Sequence, residues 1–409
     1  MRFFKRRIFN KMLACSLAVI ISPLAAFSVS EDFFGISGVL QIPGRSSTHE
    51  PATVTISPIN NGTRMMYTLD EYGSNLNFID LNNNDSPDFV KTFEFPGFPY
   101  EIEEFFEKQP DKSSEKSNSD EALPVMSQNI SFYSEDLSVF SAGNGKVTKM
   151  TFRPELSRDY LQLDGGGRVR NTTDIADSVL LRESRKPLSF KPVKNVSEPQ
   201  VLIIHTHTTE GFRPSDDSRF NTDYIFRTVD SDKNIVAVGA KIAEEIAKQG
   251  FTVIHDGTLH DYPVYSGAYT RSADTVKAIL EEYPSIQIVL DIHRDAIESD
   301  GNPVAAVAEV NGREAAQIMI ISPADDGNWG VPHFMENFRL AGRIQSKVES
   351  DNPGLTRSLL FQYCNYNLHL SPGSLLIEIG SHGNTLDQAL YAGELFGRSF
   401  GKMLSELDY

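Results

Sequence analysis

His207 and Glu210 form a His-x-x-Glu pair in HTHTTE, directly after the apolar run VLII at 201–204. Two ligands three residues apart on one turn can face the same ion, and a distant third histidine can complete the set. His293, in DIHRD after a second apolar run, is such a histidine. Two imidazoles and one carboxylate, with a fourth position left to water, is the common composition of a catalytic zinc site. Zinc bound in that way lowers the pKa of its water and polarises a scissile carbonyl. A carboxylate must still take the water's proton and hand it to the leaving group. Glu378, inside the apolar SLLIEIGS, suits that task, because desolvation holds its pKa up against the pull of a metal.

Each of these residues also has a plain structural reading. His-x-x-Glu occurs by chance in many chains, a strand-terminal histidine such as His293 is usually satisfied locally, and Glu378 could be a buried ion-pair partner. The chemical reading gains from coincidence: all three features fall at strand ends of one stretch, where open α/β sheets place ligands. His205 competes with His207, but only His207 is paired with Glu210, which leaves His205 as a supporting or structural residue. Asp291 shares a strand face with His293 and could orient it, or could face solvent. Arg271, in AYTRSADTV, is a further candidate for supporting the site or touching substrate, whereas His255 and His260 in HDGTLHDYP read as structural. The chain has no Gly-rich phosphate loop, HExxH or Gly-x-Ser-x-Gly.

From Val201 onward strand and helix signals alternate, which predicts a wound, mostly parallel α/β sheet flanked by helices over 198–409. VLII, FTVIH at 251–255, IQIVLDIH at 286–293 and SLLIEI at 374–379 read as buried strands. Ile235, Val238, Ile242 and Ile246 repeat at helical spacing and Gly250 stops them. Residues 268–283 form a second helix ended by Pro284, and HFMENFRLAGRIQSKVES forms a third. Asn311–Gly312 turns a hairpin between AVAEV and AAQIMII, and Thr385 to Gln388 is a capping box that opens the last helix.

The N-terminal half is less regular. Residues 1–28 carry Arg2, Lys5, Arg6, Arg7 and Lys11 before an apolar run, which predicts a signal peptide or membrane anchor and an exported protein. Residues 29–107 have no sustained period, with the acidic-aromatic run EIEEFFE at 101–107, and 108–128 reads as a flexible linker. Residues 129–197 read as a small β-rich region packed on the catalytic domain, with strands at 146–152 and 187–193 and a turn at Gly165–Gly167. The chain's net charge is −17; removing the five N-terminal basic residues from its 38 leaves 33 against 55 acids, or −22. So acidic a body would repel a phosphate backbone, which excludes nucleic acid as a partner. Of the two cysteines, Cys15 lies in the N-terminal apolar run and Cys364 reads as a packed small hydrophobe.

VRNTTD at 169–174, PQVLIIHTHTTEGF at 199–212, VIHDGTLHDYPVYSGAYTRSADTV at 253–276, YPSIQIVLDIHRDA and PGLTRSLLFQYCNYNLHLSPGSLLIEIGSHGNTLDQAL together resemble the stage II sporulation protein P family. The resemblance runs over about residues 145–405 and implies an N-acetylmuramoyl-L-alanine amidase of the zinc amidase type-3-like fold, cleaving stem-peptide crosslinks as well. It implies peptidoglycan as substrate, Zn²⁺ held by His207, Glu210 and His293, and Glu378 as catalytic residue. It further implies action during engulfment of the forespore, from the mother-cell membrane into the intermembrane space, with stage II sporulation proteins D and M. A zinc carboxypeptidase shares the His-x-x-Glu, distant His and late Glu pattern, and an inactive peptidoglycan-binding scaffold is the non-enzymatic alternative.

Overall fold

The computed structural model describes residues 38–40, 54–56, 63–69, 76–81, 143–153 and 160–407. The segment 1–28, the run 101–107 and the linker 108–128 lie outside the described residues. Among those described, no helix is long and apolar enough to cross a membrane.

Ten strands make one sheet. In chain order they are β3 (Arg64–Leu69), β4 (Leu76–Asp80), β7 (Leu161–Gln162), β8 (Arg168–Asn171), β9 (Val201–Ile204), β11 (Val253–Asp256), β12 (Ile288–Asp295), β16 (Ile318–Ala324), β17 (Leu359–Tyr363) and β18 (Gly373–Ser381). They lie in the order β4-β3-β11-β9-β12-β18-β16-β17-β8-β7. The central neighbours β11, β9, β12 and β18 run parallel, as do β16, β17 and β8, while β16 opposes β18 and the two outer pairs are antiparallel. Smaller pairings join β1 (Gly38–Leu40) to β2 (Val54–Ile56), and β5 (Gly145–Lys146) to β10 (Arg219–Phe220). A last sheet holds β6 (Thr148–Met150), β13 (Glu298–Ser299), β14 (Asn302–Val310) and β15 (Arg313–Ala316).

The helices are α1 (Asp177–Ser184), α2 (Ile235–Ala247), α3 (Ala268–Glu282), α4 (Phe334–Asp351) and α5 (Leu386–Ser405). Ile235, Val238, Ile242 and Ile246 of α2 join Phe338 and Ile344 of α4 and Phe396 and Phe400 of α5 in the main core on one sheet face. Val276 and Ile279 of α3 cover Leu202, Ile204, Ile254 and Val289 on the other. The result is a three-layer α/β arrangement. Thr385 and Gln388 form the capping box at the start of α5, and Cys364 is buried in a satellite apolar cluster with Ile321, Leu368 and Leu376.

Strand alternation places the chemistry. Leu290 and Ile292 of β12, with Leu375, Ile377 and Ile379 of β18, point into the main core. Successive residues of a strand face opposite ways, so Asp291, His293 and Glu378 share the other face, the one partly roofed by α3.

Four features differ from what the residues suggested. The region before 108 supplies β3 and β4, which extend the main sheet antiparallel to β11. Residues 161–171 likewise form its opposite edge, as β7 and β8. PLSFKPV at 187–193 is not a strand: its backbone is held by side chains, Lys191 N donating to Gln287 Oε1 at 3.1 Å and Gln200 Nε2 donating to Val193 O at 2.7 Å. AAQIMII is divided at the buried Gln317. Ala315 and Ala316 stay in the hairpin turned by Asn311–Gly312, while Ile318 onward enters the main sheet.

Candidate active site

The turn that follows β9 is built by its own threonines. Glu210 N donates to His207 O at 3.1 Å, which closes the turn and sets the two side chains one winding apart. Thr206 gives Asp291 both its N–H, at 2.8 Å, and its hydroxyl, at 2.6 Å. Thr208 donates to Thr258 O, and Thr209 gives its N–H and hydroxyl to Asp261. Two buried carboxylates from neighbouring segments therefore hold the turn by its backbone, leaving His207 and Glu210 for other work.

His207, Glu210 and His293 come together. The two imidazole centroids are 5.3 Å apart and nearly perpendicular. His293 Nδ1 is 3.5 Å from Glu210 Oε2, while its Nε2 is 2.9 Å from Asp291 Oδ1. That second approach is close but not aligned as a hydrogen bond, so His293 Nε2 counts with His207 Nδ1 and Glu378 Oε2 as a buried polar atom lacking one. Glu378 is the cross-strand partner of His293 in the register of β18 and β12. Among the described residues no three His, Cys, Asp or Glu side chains already stand in a metal-holding arrangement. His207, Glu210 and His293 are neighbours rather than a closed cage.

Burial drives the electrostatics. It depresses His207 to about 3, keeping that ring neutral with a lone pair to offer. Burial alone would lower His293 as well, but Asp291 and Glu210 outweigh it and hold the ring well above its ordinary value. Burial pushes on Glu210 in the opposite sense, yet His293 and Arg294 keep its carboxylate well below the usual range. Glu378 is different: burial, then the charge of Asp295, lifts it to about 8. One carboxylate is thus held ionised beside two imidazoles and another is held ready to carry a proton, an acid–base division set by environment.

The other residues singled out in the sequence have definite places. Asp291 is buried and faces His293 and the turn rather than solvent. His205 lies beneath the site, its Nδ1 2.8 Å from Ile292 O and its Nε2 2.9 Å from His255 Nε2. His260 places Nδ1 2.8 Å from His205 O and Nε2 2.9 Å from Thr275 Oγ1. Arg271 turns its guanidinium onto the carbonyls of His260, Val264 and Ser266, which clasps the 260–266 loop.

Four neighbours carried no signal in the sequence. Tyr265 stacks on His207 at 4.6 Å with its hydroxyl 3.1 Å from Nε2, and Tyr269 meets the same imidazole edge-on at 5.4 Å. Arg227 lies over the Tyr265 ring at 4.7 Å and donates to Asp261 at 2.8 Å. These four sit in loops or at a helix start, where no periodicity marks them. The one clue was the crowding of Asp261, Tyr262, Tyr265, Tyr269 and Arg271 into eleven positions between β11 and the first turns of α3.

Fold and site together define an α/β protein whose polar centre sets two imidazoles beside buried carboxylates on one face of a mixed sheet. The model of the stage II sporulation protein P family matches residues 92–401, and the chain belongs to that family. A curated relative, stage II sporulation protein P of Bacillus subtilis (strain 168), is 24% identical over 214 residues, which is 50% of each chain. The match thus spans about half the length of that relative. Among solved structures, an N-acetylmuramoyl-L-alanine amidase from Clostridium difficile 630 is 16% identical, with 51% of this chain and 96% of that one covered at a TM-score of 0.30. The CwlD amidase from Clostridioides difficile, solved in complex with the GerS lipoprotein, is 16% identical, with 50% and 94% covered at a TM-score of 0.32.

Proposed function

We propose that this chain is a zinc-dependent hydrolase that cuts the amide between N-acetylmuramic acid and the L-alanine of the stem peptide in peptidoglycan. The observation that carries the reading is the meeting of His207, Glu210 and His293, with His207 Nδ1 and Glu378 Oε2 buried and without hydrogen bonds on adjoining side chains. Buried polar atoms are rarely left so, and a bound ion or reactant is a standard partner for them. The donor set fits zinc: His207 and His293 supply imidazoles and Glu210 a carboxylate kept ionised. When bound there, zinc would supply Lewis acidity toward a water molecule and toward the scissile carbonyl.

The chain's own residues do the rest. Asp291 faces one nitrogen of His293 and Glu210 the other, which orients that ring between two carboxylates. Glu378 Oε2 takes the proton of the attacking water and returns it to the departing L-alanine nitrogen, first base and then acid. Its partial exposure beside a buried Oε2 lets it meet substrate while burial sustains its basicity. Tyr265 and Tyr269 wall the site on the α3 side.

Family membership supports the wider setting. In this reading the basic and apolar segment 1–28 anchors or exports the chain at the mother-cell membrane, facing the intermembrane space. There it cuts wall during engulfment alongside stage II sporulation proteins D and M, opening stem-peptide crosslinks as a second activity. The test is incubation of the purified chain with sacculi, with and without a chelator, followed by mass spectrometry. Zinc-restorable release of whole stem peptides is expected. Loss of terminal residues alone would mark a carboxypeptidase, and no product with added zinc would leave a binding scaffold.

A further inference from the structure

We propose that Arg357 is a substrate-binding residue that takes the free carboxylate of the stem peptide next to the bond being cut, so that the site selects stems by charge. The inference rests on the amidase reading above and deepens it. Where a stem continues from L-alanine into a D-glutamyl residue linked through its side chain, the α-carboxylate of that residue is left free. It lies one residue past the scissile amide, on the leaving-group side, where Glu378 returns its proton. A cation fixed beside Glu378 is placed to meet it.

Two anchors put Arg357 there. Its backbone N–H donates to Ile318 O at 2.7 Å, and Ile318 precedes Met319, the register partner of Glu378. Its Nη1 donates at 2.7 Å to Oδ2 of Asp295, the last residue of β12. In the strand order β12-β18-β16-β17, the strand carrying Glu378 lies between those anchors. The side chain therefore crosses β18 at the level where Ile318 faces Ile379 and Asp295 faces Ser381, one to three residues beyond Glu378. Both charges act on the Glu378 carboxyl: after burial, Asp295 raises it most, and Arg357 lowers it.

The guanidinium is held but not used up. A carboxylate paired only for structure commonly takes an arginine through two parallel bonds, yet Asp295 meets Nη1 alone. Among the described residues no oxygen accepts from Nε or Nη2, the edge that receives a carboxylate bidentately. Phe152 covers one face of the group, its ring centroid 5.1 Å from Cζ. Gln317 fixes Phe152 in turn, accepting from its N–H at 2.6 Å and donating to its carbonyl at 3.0 Å. The Arg357 side chain is 16% exposed, so the unused edge is sheltered from water without being sealed from a ligand. In a chain of net charge −17, this is a cation preorganised for an anion beside the proposed base.

The test uses the full-length chain and two soluble disaccharide-peptides that differ only at the D-glutamyl α-carboxyl, free in one and a carboxamide in the other. Calorimetric titration of the metal-free protein reads binding without turnover, and mass spectrometry of the zinc-loaded protein reads release of whole stems. The wild type is expected to favour the free carboxylate by roughly 10- to 100-fold in both measurements, the usual worth of a hydrogen bond to a charged group. Arg357→Gln should lose that preference by weakening on the carboxylate alone, with its handling of the carboxamide and its zinc content unchanged. Equal binding of the two peptides by the wild type, or none, overturns the inference, and so does an Arg357→Gln protein that weakens on both alike. Should Arg357→Gln fail to fold, Arg357→Lys decides, because it keeps the charge and loses the fork: a reduced preference is expected, and an undiminished one overturns the inference. If the wild type shows the preference in binding yet releases no whole stems with zinc, the amidase reading falls and the carboxylate site stands.

Discussion

Glu378 and His293 are register partners on the parallel strands β18 and β12, so a carboxylate raised to about 8 stands one strand away from an imidazole held well above its ordinary value. Strands in a sheet are roughly 4.8 Å apart, close enough for the proposed base and a proposed donor to serve the same small reactant. Glu378→Gln preserves shape and removes the proton acceptor. It should leave zinc binding intact and cut stem-peptide release by about 10²- to 10⁴-fold, the usual worth of a general base. Full activity in the purified variant would remove Glu378 from the mechanism.

The same carboxyl gives a signed dependence of stability on pH in the metal-free protein. Its folded value of about 8 lies above the ordinary 4.5, so the fold favours the protonated form. The resulting stabilisation is fully present below about pH 4.5 and is lost as pH rises through 8. Glu210 and Asp291 are shifted downward, and their contribution instead falls away on acidification. Glu378→Gln removes only the first effect. Its thermal midpoint should therefore exceed that of the wild type by a margin that widens from pH 5 to pH 8, readable by calorimetry. A constant margin would mean that Glu378 is not desolvated as the structure has it.

How far the sequence could be read depended on how local the signal was. Helix α2 announced itself through Ile235, Val238, Ile242 and Ile246, and β9, β12 and β18 through continuous apolar runs. His207 and Glu210 were visible because three-residue spacing on one turn is a local fact, and the turn is indeed closed by Glu210 N and His207 O. Helix α1 was not visible: it is eight residues long and only Leu180 is buried, too little for a period to show. PLSFKPV looked like a strand because alternation cannot reveal that Gln200 and Gln287, distant in sequence, supply its hydrogen bonds. Tyr265 escaped for the same reason, since its contacts to His207 and Arg227 are tertiary.

If the proposed zinc site is right, removal of the cation or of its donors should act on one centre. Dialysis against a chelator is expected to abolish activity, and stoichiometric zinc to restore it. His293→Ala should lose both bound zinc and activity. Asp291→Asn keeps the ring but weakens its orienting carboxylate and the hold on Thr206, with roughly 10- to 100-fold weaker zinc binding expected. Metal analysis of the purified proteins checks all three, and wild-type zinc content in His293→Ala would place the ion elsewhere.

Beneath the site, the edge-to-face pair of His205 and His255 depends on a missing side chain. Gly239 lies in α2, and a methyl group there would come within 2.4 Å of His205 Nε2 and 2.8 Å of His255 Nε2. Alanine in a helix interior is normally worth about 1 kcal/mol over glycine. Here the added carbon must displace two fully buried rings, one of which holds Ile292 O beside His293. Overpacking of this kind costs about 1–3 kcal/mol, so the clash should win and Gly239→Ala should unfold at lower urea than the wild type. Because His205 braces the backbone next to His293, a proposed metal donor, zinc affinity should fall with it. A Gly239→Ala protein that gains stability would show that the imidazole pair is loosely held and does not brace β12.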